Sequence, residues 1–130
     1  MSQENIEIVR RLIDAFNRGE PTHDLLDPQI VWTTTGTFVD AKTHQGHEGV
    51  GQYLEALADD FENVRFEPEE LIDAGEHVIV PARLTGRGRL SGAPVGLTVI
   101  LLCSLRAGKV VRIHNYAEKA QALDAVVLRE

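Results

Sequence analysis

Val95-Gly-Leu-Thr-Val-Ile-Leu-Leu-Cys-Ser-Leu105 decides how this chain folds, because it reads as one strand with two apolar faces. Successive strand side chains point to opposite sides, so Val95, Leu97, Val99, Leu101, Cys103 and Leu105 share one face, and Gly96, Thr98, Ile100, Leu102 and Ser104 share the other. An antiparallel sheet in a small domain usually turns one face to water. Here one face is expected to line a core or pocket, and the other to be buried by helices or a second subunit.

The neighbours of this stretch keep the same period. Upstream, His77 to Leu90 separates into Val78, Val80, Ala82, Leu84, Gly86 and Gly88 on one face and Arg83, Thr85, Arg87 and Arg89 on the other, with a turn at Ser91-Gly-Ala-Pro94. Downstream, Arg106-Ala-Gly108 turns the chain into a strand from Lys109 to Ala117, and a short helix closes from Glu118 to Val127. Before His77, Val64 and Phe66 begin a strand in which Pro68 marks a bulge or an edge, and Leu71-Ile72 leads to a turn at Asp73–Glu76. These are four antiparallel strands in succession.

The N-terminal half changes to helical spacing. Ile6, Val9, Leu12, Ile13 and Phe16 follow Ser2, a candidate N-cap, and Gly19 and Pro21 stop the helix. A short second helix is expected from Thr22 to Asp27, ended by Pro28. Ile30 to Thr34 is a β-branched, aromatic strand. Gly36 to Gly46 reads as a loop, and Val50, Tyr53, Leu54, Leu57 and Phe61 define a third helix from His47 to Asp60. Helices first and a strand meander later is an α+β arrangement in one domain, residues 1–130.

Bulk properties narrow the function. A length of 130 residues, 43% hydrophobic and 25% charged, suits a single packed core. A net charge of -7 disfavours nucleic acid, whose binding needs a basic face. No apolar run approaches the roughly 20 residues that span a bilayer, and the polar, acidic N-terminus is unlike a secretory signal; a cytoplasmic protein is expected. The single cysteine, Cys103, sits in the apolar strand and reads as a buried, inert thiol.

Five segments together carry a family resemblance: Asp27-Pro-Gln-Ile-Val-Trp32, Gly36-Thr-Phe-Val-Asp-Ala41, Gly46-His-Glu-Gly-Val50, Phe66-Glu-Pro-Glu-Glu70, and Gly108-Lys-Val-Val-Arg-Ile113 with Tyr116 beyond. In this order they resemble the SnoaL-like branch of the nuclear transport factor 2-like superfamily, over nearly the whole chain. The resemblance implies a cone-shaped fold in which N-terminal helices wrap a curved, mostly antiparallel sheet around an apolar cavity, with a short C-terminal helix. It also implies a homodimer through the outer sheet face, here Ile100, Leu102, Val110 and Tyr116. Activities in that superfamily run from isomerases, cyclases and dehydratases to non-catalytic binding modules, so fold alone does not give the reaction.

Ketosteroid isomerase chemistry needs a carboxylate base, a tyrosine and a protonated carboxylic acid. The resemblance puts these roles near Leu12, Thr33 and Leu101, none of which can perform them. Other acid–base candidates are Asp40, His44, His47, His114 and, further down the ranking, Asp14. Asp40 and His44 lie in the loop before the third helix; Asp40 better suits a turn, bonding its own backbone, and His44 has the near-neutral pKa that proton transfer uses. His47 and Glu48 better suit the start of the helix. The resemblance turns Asn115 inward and His114 outward, which makes Asn115 the third candidate. The projected lining is Leu12, Phe16, Trp32, Thr33, Phe38, Tyr53, Leu57, Phe66, Ala82, Leu84, Leu97, Val99, Leu101 and Ile113, which suits a small hydrophobic molecule. Small residues at Ala82, Gly86 and Gly88 favour open space. No cofactor or metal motif is present: His44-x-x-His47-Glu48 lacks the i, i+4 histidine pair of a zinc helix.

Two readings stand. One is a homodimeric protein that binds a hydrophobic small molecule, with cofactor-independent isomerase, cyclase or lyase chemistry as its catalytic version. The other is a non-catalytic dimeric interaction or scaffold module.

Overall fold

The computed structural model describes residues 2–34 and 42–129. Its elements are α1 (Ser2–Arg18), β1 (Leu26–Thr33), β2 (Thr43–Gln45), α2 (Gly46–Asp60), β3 (Phe61–Pro68), β4 (Ile72–Ala74), β5 (His77–Gly88), β6 (Pro94–Arg106), β7 (Lys109–Tyr116) and α3 (Lys119–Arg129). The strands form one curved sheet in the order β2-β1-β7-β6-β5-β3, with β4 also on β5. All its pairings are antiparallel except β1 with β7.

β6 is central, and both of its faces are covered. Val99, Leu101, Cys103 and Leu105 join Val78, Val80, Ala82, Leu84 and Ile113 in the inner core, against Val9 and Ile13 of α1 and Val50, Tyr53 and Leu57 of α2. On the outer face Ile100, Leu102 and Ile79 pack beneath Ala122 and Val126 of α3. Thus the second apolar face is closed by a helix of the same chain.

Pro81 shows how a central strand accommodates proline. It pairs with Ile100 on the β6 side, and its carbonyl accepts from Glu69 N at 2.8 Å on the opposite side. Since N–H and C=O of one strand residue point the same way, the missing donor faces the gap where β5 changes partner from β4 to β3, so no ladder bond is lost. β3 lies at the sheet edge, which accommodates Pro68 as well. There the Asn17 amide donates to Phe66 O at 2.8 Å and accepts from Phe66 N at 2.9 Å. One α1 side chain thereby imitates a neighbouring strand and fixes the helix over the inner face.

Three expectations need correction. Residues 22–27 are not helical: 23–25 form a turn and Leu26 already pairs with Val110. A six-residue piece between two prolines cannot repay helix nucleation, whereas Val110 N donates to Leu25 O at 2.9 Å and anchors the segment to β7. Within the expected 36–46 loop, Thr43–Gln45 is a strand on β1. Val110 points inward, fully buried in the inner core, because the register shifts between Ser104 and Leu105 and sets Val110 opposite Leu105. It therefore cannot serve an outer contact as expected.

Candidate functional site

Strand phase decides which polar groups reach the interior. On β1, Ile30, Trp32 and Thr34 point in, so Thr33 points out with its hydroxyl 3.4 Å from that of Thr43. Thr33 is thus not a lining residue; adjacent strand positions cannot share a face with Trp32. Thr34 is the inward threonine, and its hydroxyl is engaged with both the N–H and the carbonyl of Lys42. Trp32 pairs directly with His44 across β1 and β2, which turns His44 to the inner side. Asn115 is inward and 6% exposed, opposite Leu101, and His114 is outward, stacked on Tyr116 at 4.3 Å.

These placements bring Trp32, His44, Tyr53 and Asn115 together. The Trp32 indole N–H donates to Asn115 Oδ1 at 2.9 Å. The Asn115 side chain lies near enough to the Tyr53 hydroxyl to favour its ionised form, and burial outweighs that influence to push the phenol pKa up to about 12. The Tyr53 ring meets the indole edge-on at 5.1 Å and stacks on the His44 ring at 4.6 Å. Burial, and then the charge of Lys42, hold the His44 pKa below its ordinary 6.5. His44 Nε2 is shut from solvent and has no hydrogen-bond partner among the described residues. At Gly49 an added Cβ would lie 3.4 Å from the His44 backbone, so the first turn of α2 lies directly against this strand.

Beyond Trp32 the interior is apolar and nearly full. A void of about 30 Å³ is bounded by Leu12, Phe16, Trp32, Phe66, Leu101 and Ile113 of the expected lining, and also by Val9, Ile13, Thr22, Leu26, Val50, Leu54 and Cys103. A water needs roughly 10–15 Å³ and several polar partners; the lining is almost wholly apolar and the Trp32 N–H is already bonded to Asn115, so this void favours apolar atoms. Tyr53, Leu57, Ala82, Leu84, Leu97 and Val99 belong to the same inner cluster without bordering the void. The expected space at Gly86 and Gly88 is not there: a Cβ on Gly86 would meet Glu62 O and Val64 at 3.4 Å, and one on Gly88 would meet Ser91 Oγ at 2.7 Å. Those small residues serve the β3 bulge and the hairpin. Cys103 is buried, its thiol pKa pushed up to about 12 by desolvation, which keeps it a thiol rather than a nucleophile.

The other candidates separate from this cluster. Asp40 and Phe38 lie outside the described residues. His47 Nε2 donates to Leu26 O at 2.9 Å, and its ring meets His23 edge-on at 4.8 Å, a structural engagement. Asp14 is exposed on α1. No group of three or more His, Cys, Asp or Glu among the described residues could hold a metal ion, and no described helix is long and apolar enough to cross a membrane.

The model of the SnoaL-like domain matches residues 9–113. The chain belongs to the SnoaL-like family. An NTF2-like protein of Burkholderia thailandensis E264 superposes with a TM-score of 0.79 at 26% identity, covering 91% of this chain and 95% of that one. A putative SnoaL-like polyketide cyclase of Jannaschia sp. CCS1 gives 0.76 at 21%, covering 96% and 92%. A hypothetical protein with a ketosteroid isomerase-like fold from Catenulispora acidiphila DSM 44928, in complex with trimethylamine, gives 0.74 at 19%, covering 91% and 90%. The last two likenesses carry the fold alone. No curated protein matches the sequence significantly. In this SnoaL-like chain Leu12 and Leu101 border the void and Thr33 faces away from it, so the three positions expected to carry an isomerase's acid, base and oxyanion groups hold none.

His44 was legible as a candidate from its residue type, but its inward placement depended on a strand too short to show periodicity. Tyr53 reads as wall from its large apolar area with one polar atom; the fold sets that atom beside Asn115.

Proposed function

We propose that this SnoaL-like protein binds a small hydrophobic molecule on the inner face of the sheet, with the ligand's polar end at His44. The observation that carries this reading is the buried, unpartnered Nε2 of His44 beside Tyr53. An interior nitrogen without a partner costs about 1–3 kcal/mol, and a ligand group would recover that loss. Trp32 links the two parts of the site, since its ring borders the apolar void and its N–H holds Asn115. A void of 30 Å³ is well below the 150 Å³ or so that admits a benzene ring. Binding therefore widens the seam between α1, α2 and the sheet. If the ligand is turned over, His44 is the group that moves a proton, without a cofactor, in isomerase, cyclase or lyase chemistry. Asp40 completes the candidate set from sequence alone.

The dimer is part of this reading, with changed contacts. Ile100 and Leu102 lie under α3, whereas Leu123 and Val127 of α3 are 43% and 71% exposed and Tyr116 is half-buried. A second copy would meet α3 and Tyr116. The smallness of the void supports the alternative, a non-catalytic dimeric interaction module. A thermal-shift and native mass-spectrometry screen of hydrophobic compounds separates the two: ligand-induced stabilisation lost in His44→Phe supports binding, and no stabilisation by any compound supports the module. Light scattering on the same samples should give a mass near twice 14.4 kDa, and a monomer at micromolar concentration removes the dimer.

A further inference from the structure

The polar atoms around His44 specify more than a hydrophobic ligand. The Oδ1 of Asn115 is committed to the indole of Trp32, and the Asn115 side chain lies beside the hydroxyl of Tyr53. Thr34 is committed to Lys42. Among the described buried side-chain polar atoms, Nε2 of His44 is the one left without a partner. The histidine as a whole is half-buried, so the ring reaches from solvent into the interior. Its proton has two places to sit. An orphaned buried N–H is rarer than an under-satisfied acceptor, so the proton belongs on Nδ1, where water can serve it, and Nε2 presents a bare lone pair to the interior.

Charge points the same way. Holding an anion at Nε2 would need a proton on that nitrogen: imidazolium is opposed by burial first and then by Lys42, and the neutral Nε2–H tautomer offers a desolvated charge one uncharged donor only. The faces of the Tyr53 and Trp32 rings carry partial negative charge, and the Lys42 side chain is exposed and hydrated, so neither offsets the desolvation of a carboxylate there.

We propose that the ligand of this site is an uncharged molecule that donates an O–H or N–H hydrogen bond to Nε2 of His44, and that anions of the same size and shape are refused. This rests on the ligand-binding reading above and narrows it to a class: hydroxylated or N–H-bearing apolar molecules such as phenols, enols and alcohols, in place of carboxylates, phosphates or fully etherified compounds. With its proton on Nδ1 the neutral imidazole discriminates, because Nε2 then accepts a bond from a hydroxyl and has no proton to offer an ether oxygen or a carboxylate.

The test uses matched probes on the full chain: phenol, anisole and benzoate, and the larger set 2-naphthol, 2-methoxynaphthalene and 2-naphthoate, titrated calorimetrically at pH 7.5. One hydrogen bond is worth about tenfold in affinity, so on the wild type each hydroxyl compound should bind about tenfold tighter than its methyl ether, with the carboxylate weakest. His44→Phe keeps a ring for Tyr53 to stack on but no acceptor, and should bring the hydroxyl-to-ether ratio to about one while leaving the ether's affinity in place. His44→Gln retains an acceptor oxygen and should restore part of the preference. An ether that matches its hydroxyl partner on the wild type, a preference that survives His44→Phe, or a carboxylate that binds best overturns the proposal and leaves ligand binding standing. Failure of all six compounds to bind the wild type overturns the ligand-binding reading itself, and the donor rule with it.

Discussion

The two faces of β6 have similar apolar side chains and different fates. On the inner face Leu101 and Cys103 join two helices, six or more large side chains and an imperfect fit that leaves a void of about 30 Å³. On the outer face Ile100 and Leu102 meet one short helix through small residues, Ala122 and Val126, and the fit is closed: Leu102 and Ala122 are fully buried. Apolar content therefore does not distinguish a site from a seal. What distinguishes them is an uncommitted polar atom: the inner face ends at Trp32, Asn115 and Tyr53 beside the unpartnered Nε2 of His44, while the outer cluster has Tyr116 at its margin.

The comparison breaks most sharply at Ile100. Ile100→Asp would place a carboxylate without a partner under α3, and should cost about 4 kcal/mol in a denaturant titration. A variant that keeps full stability and changes only its oligomeric state would mean that a second chain, and not α3, covers this face. Leu101→Ala tests the opposite face one residue along. It enlarges a void that already exists and should cost about 3 kcal/mol, less than the buried charge but without affecting α3. If added benzene recovered part of that loss, the enlarged space would be an apolar pocket connected to the core.

The smallest effect sharpens the polar end of the inner face. His44 has a folded pKa held below 6.5, so as the pH falls the unfolded chain takes up the proton first. The stability tied to His44 is fully present above 6.5 and is lost as the pH falls from there through the folded value. Stability measured from pH 8 to pH 5 should therefore decline less in His44→Phe than in the wild type, with the other histidines contributing equally to both proteins. Identical slopes would show that Nε2 is not shielded.

Much of this was legible from periodicity. The two faces of β6, the β5 partition and the α1 stripe follow from side-chain alternation and helical spacing, and each has the direction expected of it in the structure. The inward Asn115 and outward His114, expected from the family resemblance, hold as well. Short and irregular pieces were not legible. The Thr43–Gln45 strand has three residues, too few for a period, and segment 22–27 obeyed a bond to β7 over its local helical leaning. Val110 reversed its face because a bulge changes phase, and bulges leave no reliable mark in side-chain order. Thr33 and Trp32 are adjacent in one strand, and alternation alone separates them.

The sequence by itself determined that β6 must be covered twice and that the fold is α+β, because these depend on residue type and local spacing; the family resemblance then put Leu12, Thr33 and Leu101 where an isomerase's acid, base and tyrosine would stand. Only the tertiary structure decided that α3 closes the outer face, that the small residues of β5 create no pocket, and that His44 is the polar atom left over. Those depend on which distant segments meet, and hydrogen-bond satisfaction becomes countable only when donors and acceptors from β1, β2, α2 and β7 occupy one place.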